Sequence, residues 1–173
     1  MIEFITDQEI YSRVLLQEVP ASKDFLWLAT SDLKDLHIKR NRRYIPFLEV
    51  LSDLLSRNVS IRLIHAKEPG PVFREEFDRY PILAKGLERL LCPRVHFKSI
   101  IIDGKVAYTG SANLTGAGMG ARSEGKRNFE AGIISSDPKL VGQIMQQFDD
   151  IWMGKFCGNC HFSDKCPDRD AMT

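Results

Sequence analysis

The stretch VHFKSIIIDGKVAYTGSAN, from Val95 to Asn113, predicts a β-hairpin at the centre of the fold. Two apolar runs flank Asp103-Gly104, a dipeptide that favours the tight turn of a hairpin. His96 and Lys98 lie two positions apart in the first run, so a strand would place both side chains on one face, roughly 6.6 Å apart. Because two polar groups are costly in such an apolar segment, this edge of the hairpin is the candidate functional site.

Strands and helices alternate in the rest of the chain, which predicts α/β layers around a sheet. A capping box at Thr6–Glu9 predicts the first helix, and Asp137-Pro138 predicts the start of the last one. Apolar runs and helical periodicity predict five further elements: strands at Phe25–Thr30, Ser60–Ala66 and Asn128–Ser135, and helices at Phe47–Leu55 and Phe73–Leu91, the latter interrupted at Pro81. Because a hairpin accompanies these strands, the sheet is expected to be mixed.

The composition is that of one globular domain. The chain has 173 residues, 43% of them hydrophobic and 27% charged, with a formal net charge of +1. Such a charge supplies no global attraction to nucleic acid or membrane, so any such binding must come from local patches. No apolar run has the length of a membrane span, and the first residues lack the pattern of a signal peptide, so a cytoplasmic location is expected.

The residues at the candidate site suit a phosphate group. Gly110, Ser111 and Asn113 offer small side chains, an amide donor and accessible backbone N–H groups. The Lys98 ammonium adds a point charge for the same anion. A neutral imidazole at His96 can act as a nucleophile or as a general acid. Together they indicate a phosphate site that carries its own attacking group.

The spacing of these residues resembles the HKD motif of the phospholipase D superfamily. The six matching positions are His96, Lys98, Asp103, Gly110, Ser111 and Asn113. Asn128 and Glu130 resemble a polar pair that follows the motif in nucleases of that superfamily. The resemblance covers roughly Phe25 to Trp152. It implies an α/β/α sandwich and phosphodiester cleavage that needs no metal or other cofactor.

The resemblance also implies a role for each motif residue. His96 would form a covalent phosphohistidine, Lys98 and Asn113 would hold phosphate oxygens, and Ser111 would assist them. Glu130 would orient and polarise the imidazole. The motif aspartate, Asp103, lies in the predicted turn, where a structural role fits it better.

The superfamily builds one active site from two HKD motifs, whereas this chain contains one. The other H-x-K, His37-Ile38-Lys39, has Tyr44 where the aspartate would follow, and no G-S-x-N comes after it. We interpret it as a chance match. The chain is too short for two such halves, so a homodimer is expected, with His96 of each subunit facing its twin across a two-fold axis.

Two basic segments favour nucleic acid as the substrate. Their cations are Lys39, Arg40, Arg42 and Arg43 in the first segment, and Arg122, Lys126 and Arg127 in the second. Gly110 and Asn128 are further candidate substrate-binding residues. Each basic segment could instead be a solvated charge cluster. A phospholipid hydrolase and a non-catalytic nucleic-acid-binding module remain alternatives, although no amphipathic membrane helix with a basic face is present.

The cysteines predict a metal site in a C-terminal tail. Residues 1–153 form the expected catalytic domain, and residues 154–173 form the tail. Cys157, Cys160 and Cys166 have the spacing C-x2-C-x5-C, with Cys92 or His161 as the fourth ligand. Together with the following proline, the pattern resembles the iron–sulfur staple of some RecB-like nucleases over about eleven residues. A structural zinc ion is the alternative to a [4Fe–4S] cluster.

Overall fold

A computed structural model describes residues 1–168 of the chain. It contains nine strands: β1 (Ile2–Thr6), β2 (Phe25–Thr30), β3 (His37–Arg40), β4 (Arg43–Pro46), β5 (Ser60–His65), β6 (Leu87–Leu91), β7 (Lys98–Ile102), β8 (Val106–Gly110) and β9 (Ala131–Ser135). Seven of them form one sheet in the order β1-β9-β8-β7-β2-β5-β6, and β3 and β4 form a separate hairpin. β2, β5 and β6 are parallel, and every other neighbouring pair is antiparallel. The predicted mixed sheet is therefore confirmed.

Helices cover both faces of the sheet. They are α1 (Asp7–Glu9, continued by the π-helix Ile10–Glu18), α2 (Phe47–Ser56), α3 (Pro71–Asp78), α4 (Pro81–Gly86) and α5 (Pro138–Trp152). One core joins the sheet to the π-helix, α2 and α4, and the other joins it to α5. The result is an α/β/α sandwich, as expected. Within residues 1–168, no helix combines the length and apolar character needed to cross a membrane.

The predicted hairpin is present, but it is shorter than the apolar pattern indicated. Asp103 and Gly104 form its turn with φ angles of 52° and 63°, which suit a type I′ turn. β7 begins at Lys98, so His96 precedes the strand in an irregular segment. The prediction that His96 lies within the strand is therefore wrong.

Four strands were not predicted: β1 and β6, which lie at the edges of the sheet, and β3 and β4, which form the separate hairpin. The helix predicted to reach Leu91 ends at Gly86, and Leu87–Leu91 instead pairs in parallel with β5. β1 was not predicted, and it pairs with β9 in antiparallel register. An edge strand receives its hydrogen bonds from one distant neighbour, so local sequence specifies it weakly.

Candidate active site

The ends of four adjacent strands bring the motif residues to one edge of the sheet. Lys98, the first residue of β7, pairs with Gly110, the last residue of β8, and Gly110 pairs in turn with Gly132 of β9. On the other side, Ala29 of β2 pairs with Ser99, so the carboxyl end of β2 adjoins Lys98. Residues more than 100 positions apart in the chain thus meet at the start of β7.

Asn113 is held in one orientation by the end of β2. Its side-chain oxygen Oδ1 accepts hydrogen bonds from the Ser31 hydroxyl at 2.8 Å, the Ser31 backbone N–H at 3.2 Å and the Thr30 hydroxyl at 3.2 Å. Thr30 Oγ1 also accepts a hydrogen bond from the backbone N–H of Leu114 at 3.1 Å. Because the carbonyl end of the amide is engaged, its NH2 group is the end left to donate to a ligand.

Glu130 lies between two side chains that donate to it. The Ser111 hydroxyl donates to Glu130 Oε2, and Asn128 Nδ2 donates to Oε1 at 3.0 Å. Asp7 holds the backbone of Glu130 on the other side: the Glu130 N–H donates to the Asp7 carboxylate at 2.8 Å, and the Asp7 N–H donates to the Glu130 carbonyl at 3.0 Å. Hydrogen bonds therefore hold both the carboxylate and the backbone of Glu130 before any substrate binds.

Lys98 is buried beside this network. Its Nζ donates to the backbone carbonyl of His96 at 2.6 Å, and only 7% of the residue is exposed. Burial lowers the pKa of the Lys98 ammonium, and the negative charge of Glu130 opposes that shift. The bond holds the backbone of His96, whose side chain is exposed at the rim. The candidate site therefore combines an exposed imidazole, which can attack phosphorus, with a lysine, an amide and a hydroxyl, which can bind phosphate oxygens.

Two glycines allow β8 and β9 to pack closely at this edge of the sheet. A Cβ at Gly110 would lie 2.5 Å from the Ala131 carbonyl oxygen and 2.5 Å from the Tyr108 hydroxyl. A Cβ at Gly132 would lie 2.5 Å from the Tyr108 ring. Burial raises the pKa of Tyr108 to about 12, so the hydroxyl stays neutral. The glycine of the motif is therefore needed for packing between β8 and β9.

Asp103 lies at the opposite end of β7, about 16 Å along the strand from Lys98. Its carboxylate accepts hydrogen bonds from the backbone N–H groups of Lys23, Asp24 and Phe25 at 2.8 to 3.2 Å. Burial acts to raise the pKa of Asp103, but these hydrogen bonds outweigh it and lower the pKa overall. Asp103 joins the hairpin turn to the start of β2 and does not reach the other motif residues.

Comparison with known families agrees with this geometry. The model of the family described as "Cardiolipin synthase, PLD-like domain" matches residues 15–152, most of the chain. The chain belongs to the phospholipase D superfamily. The fold is similar to Nuc from Salmonella typhimurium, a phospholipase D family member: TM-score 0.63, 19% identity, covering 88% of this chain and 93% of that one. NucT from Helicobacter pylori also has a TM-score of 0.63, at 14% identity, covering 87% and 95%.

A curated relative is a mitochondrial cardiolipin hydrolase from Chlamydomonas reinhardtii. It is 27% identical over 105 residues, covering 60% of this chain and 44% of the relative. The chain thus spans less than half the length of that relative. An archaeal chromatin protein, TrmBL2, shares the fold at 13% identity with a TM-score of 0.58, covering 87% of this chain and 51% of that one. At such identities the solved structures define the phospholipase D fold of this chain and nothing finer.

The basic residues of this phospholipase D-like chain fall into two groups. Arg40 forms ion pairs with Glu49 and Asp53, and Arg122 forms one with Asp35. Arg127 donates to the Gln8 side chain at 3.2 Å. Four of the cations predicted to bind substrate are exposed and form no salt bridge within residues 1–168: Lys39, Arg42 and Arg43 on the β3–β4 hairpin, and Lys126 in the later loop. These four remain available to an anionic ligand.

The four cysteines line one cavity of about 130 Å³, and none of the six HKD positions is among its lining residues. Burial raises the pKa of the Cys92 thiol. The backbone N–H of Phe162, together with Arg94, lowers the pKa of Cys160. His161, the rival fourth ligand, is exposed. Within residues 1–168, no group of three or more His, Cys, Asp or Glu residues is placed to hold a metal ion.

Sequence reasoning missed three residues that hold the phospholipase D motif in place. Thr30 and Ser31 fix Asn113, and Asp7 fixes Glu130. Thr30 and Ser31 could have been found in the sequence as a polar pair at the end of a buried strand. In the sequence, Asp7 was visible only as the first residue after a helix cap. In the structure its φ angle is 45°, which a helix does not require, and its hydrogen bonds are to the backbone of Glu130.

Proposed function

We propose that this protein is a metal-independent phosphodiesterase that cleaves DNA or RNA as an endonuclease through a covalent phosphohistidine at His96. The observation that carries the proposal is the meeting of Lys98, Ser111, Asn113 and Glu130 at one edge of the sheet, where Lys98 also holds the backbone of the exposed His96. Lys98 and the Asn113 amide would bind the two non-bridging phosphate oxygens. These donors supply charge that a metal ion supplies in other phosphodiesterases.

The reaction would proceed in two displacements. In the first, a ring nitrogen of His96 forms a bond to phosphorus, and the bond from phosphorus to the leaving sugar oxygen breaks as that oxygen takes a proton from a second imidazole. In the second, water attacks phosphorus, gives its proton to that second imidazole, and the phosphorus–nitrogen bond breaks. Both imidazoles return to their starting states, so no cofactor is consumed.

The second imidazole would be His96 of a partner chain in a homodimer. Within residues 1–168, the other histidines are unsuited to this role: His65 is buried, His37 lies on the separate β3–β4 hairpin, and His161 follows α5. Phe129, between Asn128 and Glu130, is 98% exposed. A second chain packed over this edge would cover that ring and bring its own His96 to the phosphate.

Nucleic acid is favoured over lipid by the unpaired cations. Lys39, Arg42 and Arg43 lie on one hairpin. The Arg122–Asp35 ion pair connects the loop that contains Lys126 to the segment that leads into β3 of that hairpin. Several exposed cations without acidic partners suit a polymer of phosphates, which a protein binds by releasing counterions. A sequence-neutral, salt-sensitive nuclease follows from this surface.

The deciding experiment is a cleavage assay in EDTA with labelled single-stranded DNA, double-stranded DNA and RNA. Wild type is expected to cleave nucleic acid, His96→Ala to lose cleavage, and His37→Ala, the matched control in the chance H-x-K, to keep it. Quenching the DNA reaction in alkali, which leaves the phosphorus–nitrogen bond intact, is expected to leave labelled nucleotide on the His96 ring. Cleavage that EDTA abolishes, or that His96→Ala retains, would contradict the proposal.

A mixing experiment tests the shared site. Wild type and His96→Ala are co-refolded in varied ratios, and activity is measured against the wild-type fraction. If one site needs both histidines, an equal mixture keeps about a quarter of the activity, whereas independent sites would keep about half. A linear dependence would exclude the shared site.

A phospholipid phosphodiesterase is the second candidate. It is favoured by the matching family description and by the curated relative, which is called a cardiolipin hydrolase. The same chemistry would serve both substrates. Turnover of cardiolipin vesicles by wild type but not by His96→Ala, with no nucleic-acid cleavage, would select this candidate. Nucleic-acid binding without any turnover would indicate a non-catalytic module.

A further inference from the structure

The fold brings Cys92 to the three cysteines of the C-terminal tail, which lie more than 60 positions later in the sequence. Cys92 lies in the irregular segment between β6 and β7, and Cys157, Cys160 and Cys166 follow the last helix. All four line one cavity with apolar walls from Leu91, Val95, Phe97, Ile151 and Phe156, among others. They are the only cysteines in the chain, and none forms a disulfide. Their convergence on one place needs an explanation beyond packing.

We propose that Cys92, Cys157, Cys160 and Cys166 bind one metal centre through four thiolates, and that the arrangement favours a [4Fe–4S] cluster over a zinc ion. Cys92 is the fourth ligand in preference to His161, because Cys92 lines the cavity and the His161 side chain is exposed. This site is separate from the proposed phosphodiesterase site and needs no assumption about its substrate.

The spacing of the thiols favours the cluster. A zinc ion requires all four sulfurs about 2.3 Å from one point. The four thiols instead line a cavity of about 130 Å³. In a [4Fe–4S] cluster each thiolate binds a different iron, so the sulfurs stay farther apart around a larger body. Apolar walls also suit a cluster, because they keep water from it.

The centre would stabilise the segment that holds His96. The Leu91 N–H donates to the Asp168 carboxylate at 2.7 Å, so the tail already contacts the end of β6. The Cys92 N–H donates to the His65 carbonyl at 2.9 Å, which anchors that end of the segment to β5. Three residues separate Cys92 from His96, and Lys98 anchors the other end. A bond from Cys92 to the metal centre would limit the motion of this irregular stretch.

The test is metal and sulfide analysis of the full-length protein purified without oxygen. About four iron atoms and four sulfides per chain, with broad absorbance near 400 nm, are expected for a cluster. About one zinc ion per chain, with no colour, would assign the same four-thiolate site to zinc. Folded wild-type protein with no metal and four titratable thiols, or with a disulfide among the four, would overturn the proposal.

Variants test the ligand set. Cys92→Ser and Cys160→Ser are each expected to lose most of the metal, whereas His161→Ala, the matched control, keeps it. Retention of full metal by Cys92→Ser would exclude Cys92 as a ligand. Hydrogen exchange on wild type before and after metal removal is a second measurement that needs no variant. Residues 92–97 are expected to exchange faster once the metal is removed, and unchanged exchange there would contradict the role in holding His96.

Discussion

The side-chain oxygen of Asn113 accepts hydrogen bonds from both the hydroxyl and the backbone N–H of Ser31, at 2.8 and 3.2 Å. Ser31 follows β2, and Asn113 ends the HKD motif more than 80 positions later. The pair sets the direction of the Asn113 amide. It thereby determines which group at this position can meet a phosphate oxygen.

Two substitutions separate orientation from donation at this pair. Asn113→Asp keeps the oxygen that Ser31 and Thr30 bind but replaces the donor NH2 by a charged acceptor. We expect a loss of about 100-fold or more in kcat. Ser31→Ala removes one of the three hydrogen bonds, so a loss of about tenfold is expected. Steady-state kinetics checks both, and equal losses would show that the amide donor has no special role.

The pH profile should report on the charge of Glu130. Lys98 must be protonated to bind phosphate, so activity falls as the pH rises through its pKa. Burial lowers the pKa of Lys98 and Glu130 opposes the shift, so Glu130→Gln is expected to lower this pKa further and move the alkaline limb of the profile to lower pH. Asn128→Ala keeps the Glu130 charge and should leave the limb in place. A limb that moves equally in both variants would contradict this account.

Asp103 should contribute to stability in a pH-dependent way. The pKa of its carboxyl is lower in the folded protein than normal, so its contribution is complete above the unfolded pKa and is lost as the pH falls through the folded pKa. Asp103→Asn should reduce the free energy of unfolding by about 1–2 kcal/mol at pH 7, and the difference from wild type should vanish in acid. Asp24→Asn, on a side chain 70% exposed, is the control for denaturation measured at several pH values. A pH-independent difference would exclude this explanation.

Gly110 should tolerate no side chain. Alanine there would place its Cβ against the Ala131 carbonyl and the Tyr108 hydroxyl, so Gly110→Ala is expected to destabilise the fold by about 1–3 kcal/mol. Gly142→Ala in α5 is the matched control, because nothing lies within 4 Å of the new Cβ. Alanine in that exposed helix should stabilise by about 0.5–1 kcal/mol. Urea denaturation measures both, and changes of the same sign would contradict the packing argument.

The unpaired arginines should determine the salt dependence of binding. In a His96→Ala background, which cannot cleave, Arg42→Ala with Arg43→Ala is expected to weaken DNA binding and reduce the slope of log K against log salt by about 2. Lys139→Ala, at an exposed position of α5, should leave the slope unchanged. Fluorescence anisotropy across a salt series measures this. A slope that the double variant leaves unchanged would place the nucleic acid elsewhere.

Local chemistry was enough to predict the middle of the fold. Asp103-Gly104 between apolar runs indicated a tight turn, and the structure confirms it. Phe25–Thr30 was predicted as a buried strand, and the structure confirms it as β2. A continuous apolar run of this length is typical of a strand that is buried on both faces. The mixed sheet followed from the order of such elements, and the α/β/α sandwich followed from the resemblance to the phospholipase D superfamily.

The sequence by itself therefore determined the central elements and the chemical identity of the motif. Turn residues, apolar periodicity and the spacing of His96, Lys98 and Asn113 are properties of neighbouring positions, whereas β1 and β6 depend on distant partners. The tertiary structure decided which groups hold that motif. Ser31 and Asp7 contact it only because strands far apart in the chain end side by side, and His96 lies outside β7 because pairing with β8 begins at Lys98. Hydrogen bonds between distant segments depend on register, and register is set by the whole sheet rather than by any one stretch.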